Sequence, residues 1–360
     1  MKIKQLPEDF VVREVFEKQK PMEGRKTEDS PYIWFKLKKT NWDMFRALNM
    51  ISRRLGVSIK RFGYAGTKDK AAVTYQRISV WNVPLEKLER VRIKDIELSE
   101  FEEKRERINL GDLKGNEFEI VVRDIDPEER GRTEKNLKRI KKDGVINLYG
   151  EQRFGIRGNT HLVGKEMLKN NMEEAVWIYL THGEEINEES RTFRRNLKMT
   201  REFSLALREC PRHLRNERIL LEHLSREPKD FAGALRRIPK GFRKMLVHAY
   251  QSYLWNEVAK ATKEKVIPLV GFDTDLSKYK SGKEIGKILK KEGIRQDDFR
   301  MPSMPELASE GDERERIVEA KRMEWEFGDD DLNEGRVKCV LKFEIHKGAY
   351  ATVVIDEAFR

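Results

Sequence analysis

The hydrophobic period of this chain changes twice along its length, and that order constrains the fold more than any single motif. Up to about residue 156, short runs of β-branched and aromatic residues are interspersed with helical spacings. From 157 to 314 the apolar residues recur mostly at helical intervals, and from 315 onward alternation returns. One sheet that draws strands from both ends of the chain satisfies this order, with the helical stretch inserted between them. We therefore predict an α+β protein with a discontinuous domain over 1–156 and 315–360 and a helix-rich insertion over 157–314, and 360 residues suffice for two cores.

Strands are predicted at 9–15, 32–38, 73–81 and 118–122. Another follows from the alternation of Val337, Cys339, Leu341, Phe343 and Ile345, with 350–355 continuing as strand after a His-Lys-Gly turn at 346–348. Residues 18–31 read as loop. A helix is expected to take Asn41 as its N-cap, bury Met44, Leu48, Ile51 and Leu55, and stop at Gly56; a second covers 133–142 and closes at Gly144. In the insertion, helices are predicted at 162–180, 200–208, 215–224 and 229–237. Leu246, Tyr250, Leu254 and Val258 mark a long amphipathic helix through 248–256 that either domain could hold. Residues 278–292 are basic and punctuated by glycine, and 308–321 are highly charged.

Lys and Arg number 74 against 63 Asp and Glu, a formal charge of +11, and the isoelectric point is about 9.3. That surplus favours an anionic partner, nucleic acid or a membrane surface, without specifying a fold. No apolar run approaches the ~20 residues of a spanning helix, so a transmembrane protein is excluded. No secretory signal is visible, and Cys210 and Cys339 cannot make a disulfide framework, so the cytoplasm is the expected compartment. Those distant cysteines and six histidines without a helical pair give no metal site. Gly63 to Lys68 and the Ser-Gly-Lys at 281–283 both fail the glycine spacing of a phosphate loop, and the nucleophile elbow of serine hydrolases is absent.

Three dense segments remain. The first, at 62–76, reads Phe-Gly-Tyr-Ala-Gly-Thr-Lys-Asp-Lys-Ala-Ala-Val-Thr-Tyr-Gln. Gly63 and Gly66 allow close approach of a ligand to backbone, and Tyr64 offers a stacking face. Asp69 is a lone carboxylate between Lys68 and Lys70, two cations that favour its charged form and could hold phosphates on either side of a nucleotide. A solvated turn explains the same residues more simply. The second segment, at 147–155, combines Asn147, Tyr149, Arg153 and Phe154 with two glycines, a set able to stack on an unpaired base and hold its backbone, or equally a tight turn with core aromatics. The third places Tyr350 beside Gly348, at a base-stacking position or an ordinary place in a sheet.

In this order the segments resemble the TruD family of tRNA pseudouridine synthases. The similarity also runs through Glu-Asp-Phe-Val-Val-Arg-Glu at 8–14, Leu-Gly-Asp-Leu-Lys-Gly-Asn at 110–116, 248–256 and 348–357. No family signature is placed over 170–244, as expected of an insertion of variable size. The resemblance implies the pseudouridine synthase fold, a central, mostly antiparallel mixed sheet flanked by helices, with an inserted TRUD domain. It also implies a catalytic aspartate, Asp69, and substrate contacts from Asn147, Tyr149 and Tyr350, beside which Lys68, Lys70, Gly66, Arg153 and Phe154 are taken as binding residues. Leu148 and Tyr149 stand where the family pattern often reads Tyr-Phe, and Tyr350 where phenylalanine is common; stacking survives either change.

The implied reaction isomerises uridine to pseudouridine in tRNA, at position 13 of the D-arm. The glycosidic C1′–N1 bond breaks, the uracil turns in place, and C5 joins C1′. Such an isomerisation needs neither metal nor other cofactor, and neither a membrane nor an obligate protein partner is expected. The carboxylate could act as nucleophile or as base, on a base first extruded from its stack. The alternative without Asp69 is a non-catalytic basic RNA-binding protein or RNA chaperone. A nuclease would more often show a histidine pair or clustered acids.

Overall fold

The computed structural model describes residues 1–16, 31–185 and 187–360; apart from Pro31, the predicted loop at 18–31 lies outside them. The chain forms two compact units, 1–145 with 318–360, and 146–317. The borders therefore fall at 145/146 and 317/318 instead of the predicted 156/157 and 314/315. Asn147 and Tyr149 are the reason: their hydrogen bonds go to residues 256 and 314–316, all within the second unit.

The first unit is an eight-stranded mixed sheet. Its path runs Lys321–Asp329, Val337–His346, Gly115–Ile125, Phe10–Val15, Val73–Trp81, Tyr32–Thr40, Ile96–Lys104, and Phe62–Tyr64 also pairs with Val73–Trp81. Only the pairing of Phe10–Val15 with Val73–Trp81 is parallel. Alternation sorts the side chains. Phe10, Val12, Phe118, Ile120, Leu341 and Phe343 bury with Leu137, Ile140, Val354 and Ile355 of two helices, Arg130–Asp143 and Ala351–Ala358. Ile33, Phe35, Leu37, Ile78 and Val80 bury with the helix Met44–Leu55. That helix ends at Gly56, in the left-handed region at φ 67°, as the sequence indicates, but its N-cap is Asp43, whose side chain accepts the Arg46 N–H. Asn41 sits two residues earlier at φ 56°.

Residues 350–355 are not a strand. The β-branched run Thr352-Val353-Val354-Ile355 suggests one, yet Ala351, Val354, Ile355 and Ala358 recur at helical spacing and are buried, so the segment is the helix Ala351–Ala358 with Tyr350 at its N-cap. Among the strands that escape the sequence pattern are Ile96–Lys104 and Lys321–Asp329, which stand at the two ends of the sheet's path.

The second unit is largely helical. Lys240–Ala261 is its longest helix, and Leu246, Val247, Tyr250, Leu254, Trp255 and Val258 are buried in one core with Val163, Met167, Val176, Leu180, Leu220 and Leu235. The predicted helix at 162–180 is two, Thr160–Leu168 and Met172–Thr181, separated where Asn170 turns left-handed at φ 61° and Asn171 caps the second. The one predicted at 200–208 is Phe203–Glu209, and the helix Glu188–Thr200 before it was not predicted. A two-stranded ladder, Val266–Leu269 with Asp312–Glu315, lies among the helices.

Candidate active site

Asp69 lies on the loop between the antiparallel strands Phe62–Tyr64 and Val73–Trp81. Its side chain is 37 % exposed, open enough to meet a ligand. The expected cations, Lys68 and Lys70, are not the ones that hold it. Lys4 donates to Asp69 Oδ2 at 2.5 Å, and Lys39 donates to the Asp69 carbonyl at 2.8 Å. Lys68 turns inward to Glu14 at 2.6 Å, with side chains 7 % and 1 % exposed, because adjacent side chains on an extended loop diverge and the neighbouring strand supplies a buried acid. Lys70 stays exposed.

Neither Lys4 nor Lys39 was singled out by the sequence, although one was legible. Ile33, Phe35 and Leu37 face the core, and Lys39 continues their parity, a lysine at an inward position that is fully buried. Lys4 carries no such signal. Its backbone is left-handed, φ 58°, and its ammonium also sits 4.1 Å from the Phe10 ring.

Burial pushes the Lys39 ammonium down to about 8, although Asp69 and Asp43 pull it up. An unfolded lysine titrates near ~10.4, so between pH 8 and that value the unfolded chain binds more protons at this site and stability should rise with pH. Below pH 8 the cost of the buried charge is fully present. Urea unfolding from pH 7.5 to 10 checks this. The parent should gain on Lys39→Met as pH rises, and parallel curves would refute the buried ammonium.

The glycines behave differently from expectation. A Cβ at Gly63 would lie 2.4 Å from the Ile108 carbonyl oxygen and 2.5 Å from Ser79 Oγ, so it is the protein's own backbone that approaches there. At Gly66 the nearest atom would be Lys68 Nζ at 3.6 Å, an ordinary contact. Tyr64 packs edge-on against Phe45 with centroids 5.8 Å apart. Tyr350, half-buried, starts its helix in the same unit.

Asn147, Tyr149, Arg153 and Phe154 belong to the second unit. The Asn147 side chain is buried: its Nδ2 donates to the Glu315 carbonyl at 3.0 Å and its Oδ1 accepts from Arg314 at 2.7 Å. Asn256 clamps the backbone of Tyr149, accepting its N–H at 2.8 Å and donating to its carbonyl at 3.0 Å. The Tyr149 ring meets Trp255 edge-on at 5.8 Å and carries the Arg314 guanidinium 4.1 Å from its centroid. Asn147 therefore fixes Arg314 over Tyr149, and Arg314 is a residue the sequence left unassigned within its highly charged stretch. Arg153 donates to Ser252 at 2.9 Å, and Phe154 packs on His161 at 5.1 Å. The candidates from the sequence thus divide: Asp69, Gly66, Lys68, Lys70 and Tyr350 in one unit, the other four in the second.

The family model described as tRNA pseudouridine synthase D (TruD) matches residues 1–267 and 258–358. The chain belongs to the TruD family. Its relatives include the probable tRNA pseudouridine synthase D of Methanosarcina acetivorans, 34 % identical over 99 % of this chain and 92 % of that protein. That of Methanopyrus kandleri is 37 % identical over 91 % of this chain and 85 % of its own length. A crystal structure assigned to tRNA pseudouridine synthase D (TruD) from Methanosarcina mazei superimposes with a TM-score of 0.84 at 32 % identity, covering 99 % of this chain and 93 % of that one. The TruD family is one of isomerases, and the mixed sheet flanked by helices is its fold. Among the described residues, no helix is long and apolar enough to cross a membrane.

Proposed function

We propose that this TruD-family chain isomerises uridine 13 in the D-arm of tRNA to pseudouridine, in the cytoplasm, with Asp69 as the reacting carboxylate. The observation that carries the proposal is a solvent-reachable acid on the family's Gly-x-Lys-Asp-Lys loop, held by Lys4 through its carboxylate and by Lys39 through its carbonyl. An aspartate tied at its carboxylate and at its backbone meets the geometric demand of a near-attack arrangement. Asp69 can add to C1′ or to the ring, or remove a proton beside the anomeric centre, and both routes need the ionised oxygen.

The target base must leave its stack, at a cost of a few kcal/mol. Tyr149 and Tyr350 are proposed to offset it, at ~1–3 kcal/mol per stacked base. The clamp on the Tyr149 backbone and the guanidinium over its ring favour a fixed platform over a mobile one. Lys70 and Arg153 are proposed as contacts to the RNA backbone, and Phe154 and Gly66 as parts of the binding surface.

Incubation with unmodified tRNA tests the reading. Pseudouridine at position 13 is expected, whereas cleavage or binding without modification would replace the proposal with a nuclease or a non-catalytic RNA-binding protein. Affinity should also fall with salt, because phosphate contacts release counterions; three such contacts would cost about fortyfold between ~50 and ~200 mM salt. A flat salt response would count against RNA as the ligand.

A further inference from the structure

One ion pair in the catalytic unit has no counterpart in the chemistry above. Glu14 is the penultimate residue of the strand Phe10–Val15, whose parallel pairing with Val73–Trp81 extends only from Val73 to Tyr75. The strand Phe62–Tyr64 takes up Val73–Trp81 again from Ile78 to Val80. Arg77 lies in the interval, and its N–H donates to Glu14 Oε2 at 2.9 Å. The other carboxylate oxygen takes the Lys68 ammonium at 2.6 Å. Both oxygens of one buried side chain are thus committed, one to the interrupted sheet edge and one to the residue preceding Asp69.

We propose that Glu14 is a positioning residue: through its ion pair with Lys68 it sets the path of the loop that presents Asp69. The inference rests on the reading of Asp69 as the reacting carboxylate. Three ties then fix the loop, at the side chain of residue 68, the carbonyl of residue 69 and the carboxylate of residue 69. Lys39 and Lys4 can hold Asp69 only if its backbone arrives in register, and the Glu14–Lys68 pair ties the preceding residue to the strand Phe10–Val15. Burial pushes the Glu14 carboxyl above its ordinary value, and Lys68 and the Arg77 N–H pull it only part of the way back. A buried pair of this kind is weak support for stability, since apolar residues of similar volume often do as well, and a defined geometry is what it supplies instead. Lys68 accordingly serves as an internal anchor and not as a phosphate contact.

Single-turnover pseudouridine formation and tRNA affinity, each measured for the parent, Glu14→Gln, Lys68→Met and the double variant, test this. Each single change should slow turnover by about ten- to a hundredfold, the loss that a misplacement near 1 Å produces. Affinity and its salt dependence should stay parental, and the double variant should be no slower than the worse single. If Lys68→Met instead weakens binding and removes about one phosphate from the salt slope at parental turnover, Lys68 contacts RNA and the inference is overturned. Losses that multiply in the double variant also overturn it. Thermal unfolding verifies that each variant folds; should Glu14→Gln not fold, Lys68→Met decides alone, because it leaves the Arg77 contact in place. Asp69→Asn is run alongside. If Asp69→Asn retains turnover, the reading of Asp69 fails; if Asp69→Asn is inactive while the folded variants turn over at the parental rate, only the role of Glu14 fails.

Discussion

Asp69→Asn should bind unmodified tRNA at close to parental affinity and form pseudouridine at least about a thousandfold more slowly. The substitution keeps the volume of the side chain and an oxygen for Lys4, whose ammonium lies 2.5 Å from Asp69 Oδ2. It leaves the Lys39 bond untouched, because that bond goes to the carbonyl. What it removes is the ionised oxygen, which both the nucleophilic and the general-base route require. Phosphate contacts elsewhere on a chain of net charge +11 do not depend on this group, so binding and turnover should separate. Mass-neutral isomerisation is read by chemical derivatisation of pseudouridine after a single turnover. Turnover within tenfold of the parent would remove Asp69 from the mechanism.

Arg123→Met should destabilise the protein by about 3–5 kcal/mol, the range for a buried ionic cluster stripped of one partner. Arg123 is 6 % exposed and grips Asp9 through Nε and Nη2 while Nη1 reaches Asp330 and Asp331, all near 2.9 Å. The Asp9 and Asp330 side chains are 2 % and 0 % exposed, so the variant strands two carboxylates away from water. Burial by itself would raise the Asp330 carboxyl, but the N–H groups of Asp124 and Leu332, the Asn333 amide and Arg123 outweigh it and bring it to about 2. An unfolded aspartate titrates near ~3.9, so this group's contribution is complete above that pH and disappears as pH falls through about 2. In Arg123→Met that acid limb should move to higher pH. Turnover should fall as well, since Arg123 holds the N-terminal segment at Lys2 through backbone bonds and at Asp9 through its side chain, with Lys4 between. Urea unfolding at pH 7 and at pH 3, with a tRNA assay, measures all three. Parental stability at pH 7 would show that the cluster holds nothing in place.

Where the side-chain pattern is made by burial on one face, the sequence was legible. The helix Met44–Leu55 and the strand Val337–His346 follow directly from their apolar spacing, and the helix Arg215–Leu224 has the predicted bounds. The errors have particular causes. Residues 350–355 combine β-branched propensity with helical burial, and burial prevails. Ile96–Lys104 is dominated by charged residues and its apolar alternation stops after Leu98, whereas Lys321–Asp329 does alternate Met323, Trp325 and Phe327 with glutamates, a short period obscured by the highly charged stretch before it. The family motifs led to Asp69, but its partner Lys4 is distant in sequence and leaves no local trace, while Lys39 shows in the sequence only as a lysine at an inward strand position, which does not say what it meets. Arg314 and Asn256 were hidden for the same reason, each a polar residue whose meaning comes only from the aromatic ring and backbone it meets.

Those two charged strands have a consequence beyond their poor legibility. Each is also distorted, with Glu100 at φ 50° and Arg322 at φ 51° beside breaks in pairing register. An outermost strand that is bulged, studded with glutamate and lysine, and packs its apolar residues on the protein's own core offers an incoming chain no flat ladder. Crowded copies of the protein therefore find no template for joining sheet to sheet at these two strands, and partial opening there on heating should lead back to the folded state more readily than to fibrous aggregates.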